Sequence, residues 1–315
     1  MTNVLQVASL LGPSQNERIF AILPLFHSFA QNTCVWTSIY YGITIILVPK
    51  IDRRYIIENM RHKPTIFVGV PALYGLLCLI KNLSFDSVRL FISGGDALPD
   101  KIRSIFGLLY RRKIANGYGL TETSPVISVN LDDEMVPASN VGKPLAGIQC
   151  AIRDEYGKDK PQGSIGILWV KGDNIMLGYY NASEATNAVL KNGWLNTGDL
   201  AYIDDKERIV ITGREKDLII HKGFNIYPQE IENVILLHSN VLRVAVVGKY
   251  ENDEEIPVAF VQLRIADPNS EKGIRLLCNQ HLATYKIPRQ FFCDTKDLPT
   301  TATGKIDKKI LRKQF

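Results

Sequence analysis

The chain has no long uninterrupted apolar run, no cysteine pair at metal-ligand spacing, no basic leader and little excess of either charge. Each shortage excludes something. The most apolar stretch, IFVGVPALYGLLCLI at 66–80, contains Pro71 and falls short of the roughly 20 residues that span a bilayer. It reads as a buried strand leading into a helix. Five scattered cysteines (34, 78, 150, 278 and 293) form no CxxC and have no nearby histidine pair. That pattern argues against a zinc site or a disulfide framework and fits a reduced, cytoplasmic setting. The 37 basic and 32 acidic residues leave a formal charge of only +5, and no basic run interleaves with aromatics. A nucleic-acid partner is therefore not expected. The opening MTNVLQVASLLGPS lacks the basic start of a secretory signal. There is no internal repeat and no low-complexity linker.

What is present is ample core material: 46% apolar residues in 315, enough for two or three domains. From 19 to 130, apolar strand-like runs (GITIILVP at 42–49, PTIFVGVP at 64–71, VRLFISGG at 88–95) alternate with helical spacing at 53–63 and 99–113. In the second helix Ile102, Ile105, Phe106 and Leu109 share one face. Such alternation predicts an α/β fold with a mostly parallel, helix-covered sheet whose ligands sit at the carboxyl ends of its strands. From about 139 to 213, short strands joined by Gly, Asp and Lys turns predict a small antiparallel β-barrel subdomain. Beyond it, a helix with Pro228 near its start, two strands, and a helix near 270–283 predict a C-terminal α+β domain. The expected domains are thus 1–138, a partial parallel-sheet lobe, then 139–213, and 214–315. The tail KIDKKILRKQF (305–315) reads as a solvated, basic helix face or a phosphate-attracting patch.

One loop concentrates chemistry. NGYGLTETSP (116–125) follows a predicted strand, as does ISGGDALP (92–99). Glycines at 117 and 119 suit unusual backbone angles and close ligand approach. Tyr118 offers a flat apolar face, Thr121 a hydroxyl, and Glu122 a hard oxygen ligand for a cation such as Mg²⁺. The same residues equally describe a polar turn with a solvated glutamate.

Five stretches in order favour the chemical reading. LPLFHSF (23–29), ISGGDALP, NGYGLTETSP, GWLNTGDLAYIDD (193–205) running on through GREKDLIIHKGFNIYPQEIE (213–232), and LPTTATGKIDKKILR (298–312) together resemble the adenylate-forming superfamily. The likeness covers the whole chain and is greatest to long-chain fatty acid–CoA or acyl-carrier-protein ligases. It implies an AMP-forming acid–thiol ligase: a fatty acid carboxylate attacks the α-phosphate of ATP, and a thiol then displaces AMP from the acyl-adenylate. It implies ATP, Mg²⁺ and coenzyme A, or the phosphopantetheine of acyl-carrier protein, as partners. By resemblance Tyr118 and Gly119, with the Gly94–Gly95–Asp96 turn, hold adenine. Thr121 bonds phosphate oxygen and Glu122 holds the metal. Asp199 accepts from the ribose hydroxyls, with Arg214 at the same site. Lys305 stabilises charge on the carboxylate and α-phosphate oxygens, with Gly304 keeping its loop slim. His27 stands near the carboxylate and thiol paths. Lys216 is the hinge about which the C-terminal domain turns between half-reactions, and Gly223 borders a narrow thiol tunnel. An apolar wall including Val68, Val70 and Leu73 implies a medium-to-long acyl chain.

The family's Ser/Thr/Gly-rich phosphate loop ending in Pro-Lys does not occur in the 315 residues. A larger N-terminal part of the sheet lobe is absent too, so strands along that face are expected to expose an apolar edge. Two readings stay open: a ligase that works as part of a longer polypeptide or with a separate N-terminal half, and an inactive remnant that binds nucleotide weakly or not at all. On either reading the 315 residues alone are not expected to adenylate an acid. No transmembrane segment is expected, although peripheral membrane contact is compatible with a lipid substrate.

Overall fold

The computed structural model describes residues 1–80, 83–132, 136–251, 254–301 and 305–315. The chain separates into two compact units: Met1–Thr197 with Ala201–Ile211, and Gly198–Leu200 with Thr212–Phe315.

The first unit opens with helix α1 (Thr2–Leu11) and strand β1 (Arg18–Ala21). Short helical turns α2 (Ser28–Ala30) and α3 (Thr37–Tyr41) flank a π-helical stretch, Gln31–Trp36. Strands β2 (Thr44–Leu47), β3 (Ile66–Gly69), β4 (Leu90–Ser93), β5 (Ile114–Tyr118) and β6 (Ser128–Asn130) then alternate with helices α4 (Arg53–Met60), α5 (Pro71–Leu77) and α6 (Asp100–Tyr110). The sheet order is β2-β1-β3-β4-β5-β6, parallel except for the last pair. Parallel register aligns Phe20, Phe67, Phe91 and Ile114 in one row across four strands. All four are at most 2% exposed and share a core with Tyr74, Phe85 and Phe106. Their strand neighbours Ile19, Ile66 and Ile92 are buried in a second cluster. Burial on both faces explains why these strands read as continuous apolar runs. Helix α6 departs from expectation: Phe106 is fully buried and Ile102 partly so, whereas Ile105 and Leu109 are 38% and 55% exposed. Strand β2 is the end of the sheet's order, and its Leu47 is 63% exposed.

A second sheet follows, from β7 (Asn140–Gly142), β8 (Gln149–Arg153), β9 (Gly166–Lys171), β10 (Leu190–Lys191), β11 (Trp194–Ile203) and β12 (Ile209–Arg214), with α7 (Ser183–Val189) before β10. Its order is β7-β12-β11-β9-β8, with β10 paired to β11. Among the described residues this is an open path, not the closed barrel the turn spacing predicted. Arg153 lies between the rings of Trp169 and Trp194, 5.2 and 4.5 Å from their centroids, and pairs with Asp159.

The second unit holds hairpin β13 (Ile219–His221) and β14 (Phe224–Ile226), helix α8 (Pro228–Ile235), and a three-stranded sheet of β15 (Val241–Glu251), β16 (Glu254–Leu263) and β17 (Gln290–Asp294), with α9 (Ser270–His281) and α10 (Lys308–Arg312). Ile231, Ile235, Ile274 and Cys278 bring α8 and α9 onto the sheet through fully buried side chains. The basic tail is not simply solvated. Leu311 is buried against β15 and β16, Lys308 pairs with Glu232 at 2.7 Å, and Arg312 pairs with Asp217 at 2.8 Å. Among the described residues no helix is long and apolar enough to cross a membrane.

Candidate active site

Parallel strands end on one edge of their sheet, so topology alone brings the loops after β1, β4 and β5 to the same edge. One cleft there is lined by His27, Gly94, Gly95, Tyr118, Gly119 and Thr121, six of the residues singled out from sequence. His27 caps α2: its Nδ1 accepts from Phe29 N at 3.2 Å, which leaves Nε2 to carry the proton of the neutral ring. Ser28 Oγ lies 3.0 Å from Thr121 Oγ1 and joins the first of these loops to the third. Phe29 sits against the Gly94 backbone so closely that any side chain at 94 would meet its ring. Asp96, at the exposed end of that turn, accepts from the neighbouring Ala97 N at 2.9 Å.

After β5 the chain makes a 3-10 turn, Thr121–Thr123. Buried Thr123 holds it, with its hydroxyl 2.9 Å from the carbonyls of both Leu120 and Pro125. The segment 174–179 closes over the turn from outside: Asn174 donates to Thr123 O at 2.8 Å, and Met176 N donates to Glu122 O at 2.8 Å. Tyr179 donates its hydroxyl to Glu122 Oε1 at 2.8 Å. Desolvation, then the hydrogen bond and charge of Glu122, hold that phenol above the usual tyrosine range. That bond fixes which way the glutamate carboxyl points.

The second unit carries the remaining residues. Asp199 is 3% exposed, and its Oδ1 lies 3.0 Å from Arg214 Nε. Lys216 belongs to the 3-10 turn Glu215–Asp217, and its carbonyl accepts from Arg312 at 3.3 Å. Gly223 and Lys222 form the two-residue turn of the β13–β14 hairpin, with φ of +78° and +51°. Two positive φ values in succession make the mirror-image turn that matches strand twist, a backbone that favours glycine at 223. Lys305 is half-buried, and its carbonyl accepts from Thr301 N at 2.8 Å. Gly304 lies outside the described residues.

The sequence profile of the AMP-binding enzymes matches residues 1–180, and that of the AMP-binding enzyme C-terminal domain matches 230–305. The chain belongs to the AMP-binding enzyme family. It is 34% identical over 296 residues to a long-chain-fatty-acid–CoA ligase of Bacillus subtilis, covering 92% of this chain and 53% of that protein. It is also 34% identical to the 2-succinylbenzoate–CoA ligase of Bacillus mycoides, covering 96% of this chain and 63% of the relative. Among solved structures, ATP-bound MatB from Rhodopseudomonas palustris superposes with a TM-score of 0.91 at 30% identity, over 99% of this chain and 63% of that one. The chain therefore spans little more than half the length of the curated long-chain relatives it matches, 53% in one case and 57% in another.

Within this member of the AMP-binding enzyme family, two sequence expectations need correction. Gly117 and Gly119 are not among the residues with positive φ. Gly119 is required for space, because a Cβ there would overlap the Pro125 carbonyl oxygen. Val68 and Leu73, expected in an acyl-pocket wall, are 1% and 2% exposed and belong to separate core clusters. Tyr179 and Ser28 were not anticipated. Tyr179 reaches Glu122 across 57 positions, which no local spacing signals. Ser28, beside His27 in the LPLFHSF stretch, was within reach of the motif reading. All five cysteines are free, and burial pushes Cys34 and Cys150 up to about 12 and Cys278 and Cys293 up to about 11.

Proposed function

We propose that the chain supplies the adenylate-binding and acid-activating residues of an AMP-forming fatty acid–thiol ligase. The observation that carries this is the meeting of His27, Gly94, Gly95, Tyr118 and Thr121 at one cleft, in a chain that matches the family over both its parts. Tyr118 and the Gly94–Gly95 backbone provide a flat wall for adenine. Asp199, held by Arg214, presents a carboxylate to the ribose hydroxyls. Lys305 stabilises negative charge that develops as the acid carboxylate meets the α-phosphate. His27 stands at the cleft wall, its Nδ1 held by Phe29 N.

Mg²⁺ fits the donor set only as an ion shared with its nucleotide. Among the described residues no group of three His, Cys, Asp or Glu could hold a metal. Glu122, oriented by Tyr179, would supply one carboxylate to the ion. Bound there, the ion would neutralise phosphate charge.

The names of the bacterial relatives support a long-chain fatty acid as substrate and coenzyme A as acceptor. An acyl-carrier protein is the second acceptor to test, since its phosphopantetheine offers the same thiol. Titration with a non-hydrolysable acyl-adenylate, dodecanoyl-sulfamoyl-adenosine, tests the site. The expected result is binding that weakens at least tenfold in Tyr118→Ala and in Asp199→Asn, the loss of one stacking surface or one charge-assisted bond pair. No binding, or equal binding by both variants, would leave an inactive remnant as the better reading.

A further inference from the structure

Hairpin β13–β14 carries Gly223 at its turn but has only three residues per strand. Two strands of that length do not hold themselves. Ile219 and Ile226 anchor its base with fully buried side chains. Two apolar anchors resist removal of the hairpin but say little about its tilt, because apolar contact is not directional.

Phe224 on β14 stacks on Tyr285 with centroids 4.8 Å apart, and one residue on β16 adds direction through hydrogen bonds. Glu255 Oε2 accepts from Ile220 N at 2.9 Å. The carbonyl oxygen of the same Glu255 lies 2.9 Å from Nδ1 of His221, which is 6% exposed. A carbonyl only accepts, so Nδ1 carries the proton. Side chain and backbone of Glu255 thus hold two consecutive residues of β13. Glu254 adds a carboxylate 3.8 Å from both His221 Nδ1 and Lys222 Nζ.

The close seat of Glu255 depends on Gly248 on β15. A Cβ at 248 would overlap the Glu255 carboxylate at its Oε1, Cδ and Cγ atoms. Gly248 lies within a strand, pairs opposite Pro257, and has no positive φ. Its glycine is therefore explained by what lies over it. Glycine inside a strand costs stability and marks such close approaches.

We propose that Glu255, seated over Gly248, is a positioning residue that sets the β13–β14 hairpin and hence the place of Gly223 for an incoming thiol. This rests on the reading of that hairpin as part of the thiol path. Its role is exerted through Ile220 and His221.

Hydrogen exchange on the 315-residue chain, read by mass spectrometry beside thermal melting, tests it in Glu255→Ala, Glu255→Gln, Gly248→Ala and the Gly248→Ala/Glu255→Ala double variant. Loss of a charge-assisted bond should speed exchange at 220–223 about tenfold or more in Glu255→Ala. Gly248→Ala should do the same with the glutamate still present, because the carboxylate is displaced. Glu255→Gln, whose side-chain carbonyl still accepts from Ile220 N, should stay near wild type. The double variant should exchange no faster than Glu255→Ala, since both act on one contact. Unchanged exchange in Glu255→Ala, acceleration spread evenly over 212–315, or additive effects in the double variant would overturn the proposal. Calorimetric titration with coenzyme A separates the two layers. Affinity lowered in Glu255→Ala and restored in Glu255→Gln supports the link to the thiol, and unaltered affinity overturns it. Failure of the wild-type chain to bind coenzyme A would overturn the thiol-path reading itself, and the exchange data identify that case because they need no ligand.

Discussion

At the scale of single residues, the candidate site is built from side chains that have little freedom. Glu122 is held through its backbone by Met176 and through its carboxylate by Tyr179. His27 has its tautomer set by Phe29 N. Gly119 lets the chain pass beneath Pro125 with no room for a methyl group. Gly119→Ala should therefore destabilise the first unit by about 1–3 kcal/mol, the usual cost of overpacking a close contact. Denaturant melts of the two proteins measure it, and a change below a few tenths of a kcal/mol would show that the turn yields easily. The roles drawn from the motifs and the reasons found in space are different kinds of knowledge. The NGYGLTETSP stretch points to chemistry, but only packing shows that its second glycine serves space and not backbone angle.

At the scale of elements, the β11–β12 turn shows a local device with a pH signature. Asp204 Oδ1 accepts from Lys206 N at 3.0 Å and Arg208 N at 2.8 Å, while Oδ2 meets Arg208 Nε at 2.8 Å. Burial pushes this carboxyl up, but the bonds and charge of Arg208, with Lys206 N, outweigh it and leave Asp204 below the usual carboxylate range. A depressed folded-state pKa means stability that is present above the unfolded value of about 3.9 and lost as pH falls through the folded value. Asp204→Asn should cost about 1.5–3 kcal/mol near neutrality and flatten the acid limb of the stability curve, which melts between pH 2 and 7 would record. A variant with an unchanged acid limb would contradict this. Element identity was largely legible in the sequence. The runs at 64–71 and 88–95 became β3 and β4, where burial on both faces leaves a continuous apolar signature, and the run at 42–49 became the half-exposed terminal strand β2. Less legible was whatever depends on partners far along the chain. The 139–213 strands predicted a barrel, yet they pair in an open path, and turn spacing does not encode closure. Helical spacing gave α6 a full apolar face, of which Phe106 alone is fully buried. The basic tail is tied down by Glu232 and Asp217, about 75 and 95 positions away, contacts that composition does not announce.

At the scale of the whole molecule, the chain accounts for 53% of the length of one long-chain relative and 57% of another, and its first sheet has an apolar end. Ile39 and Leu47 are 65% and 63% exposed, on α3 and on the terminal strand β2. An apolar edge strand is a template for association. The 315-residue chain should self-associate as its concentration rises, and Leu47→Lys should weaken this; light scattering that shows monomers of both proteins at all concentrations would contradict it. The central claim, that these residues activate an acid when the phosphate loop is supplied, has a more direct test. Fatty-acid-dependent exchange of radiolabelled pyrophosphate into ATP would be measured for the chain alone, for the chain co-expressed with the N-terminal part of a full-length relative, and for the same pair carrying Lys305→Ala. The account predicts no exchange by the chain alone, exchange by the pair, and a loss of 100-fold or more with Lys305→Ala, on the order of one transition-state charge contact. A complemented pair that stays silent, or one indifferent to Lys305, would contradict it.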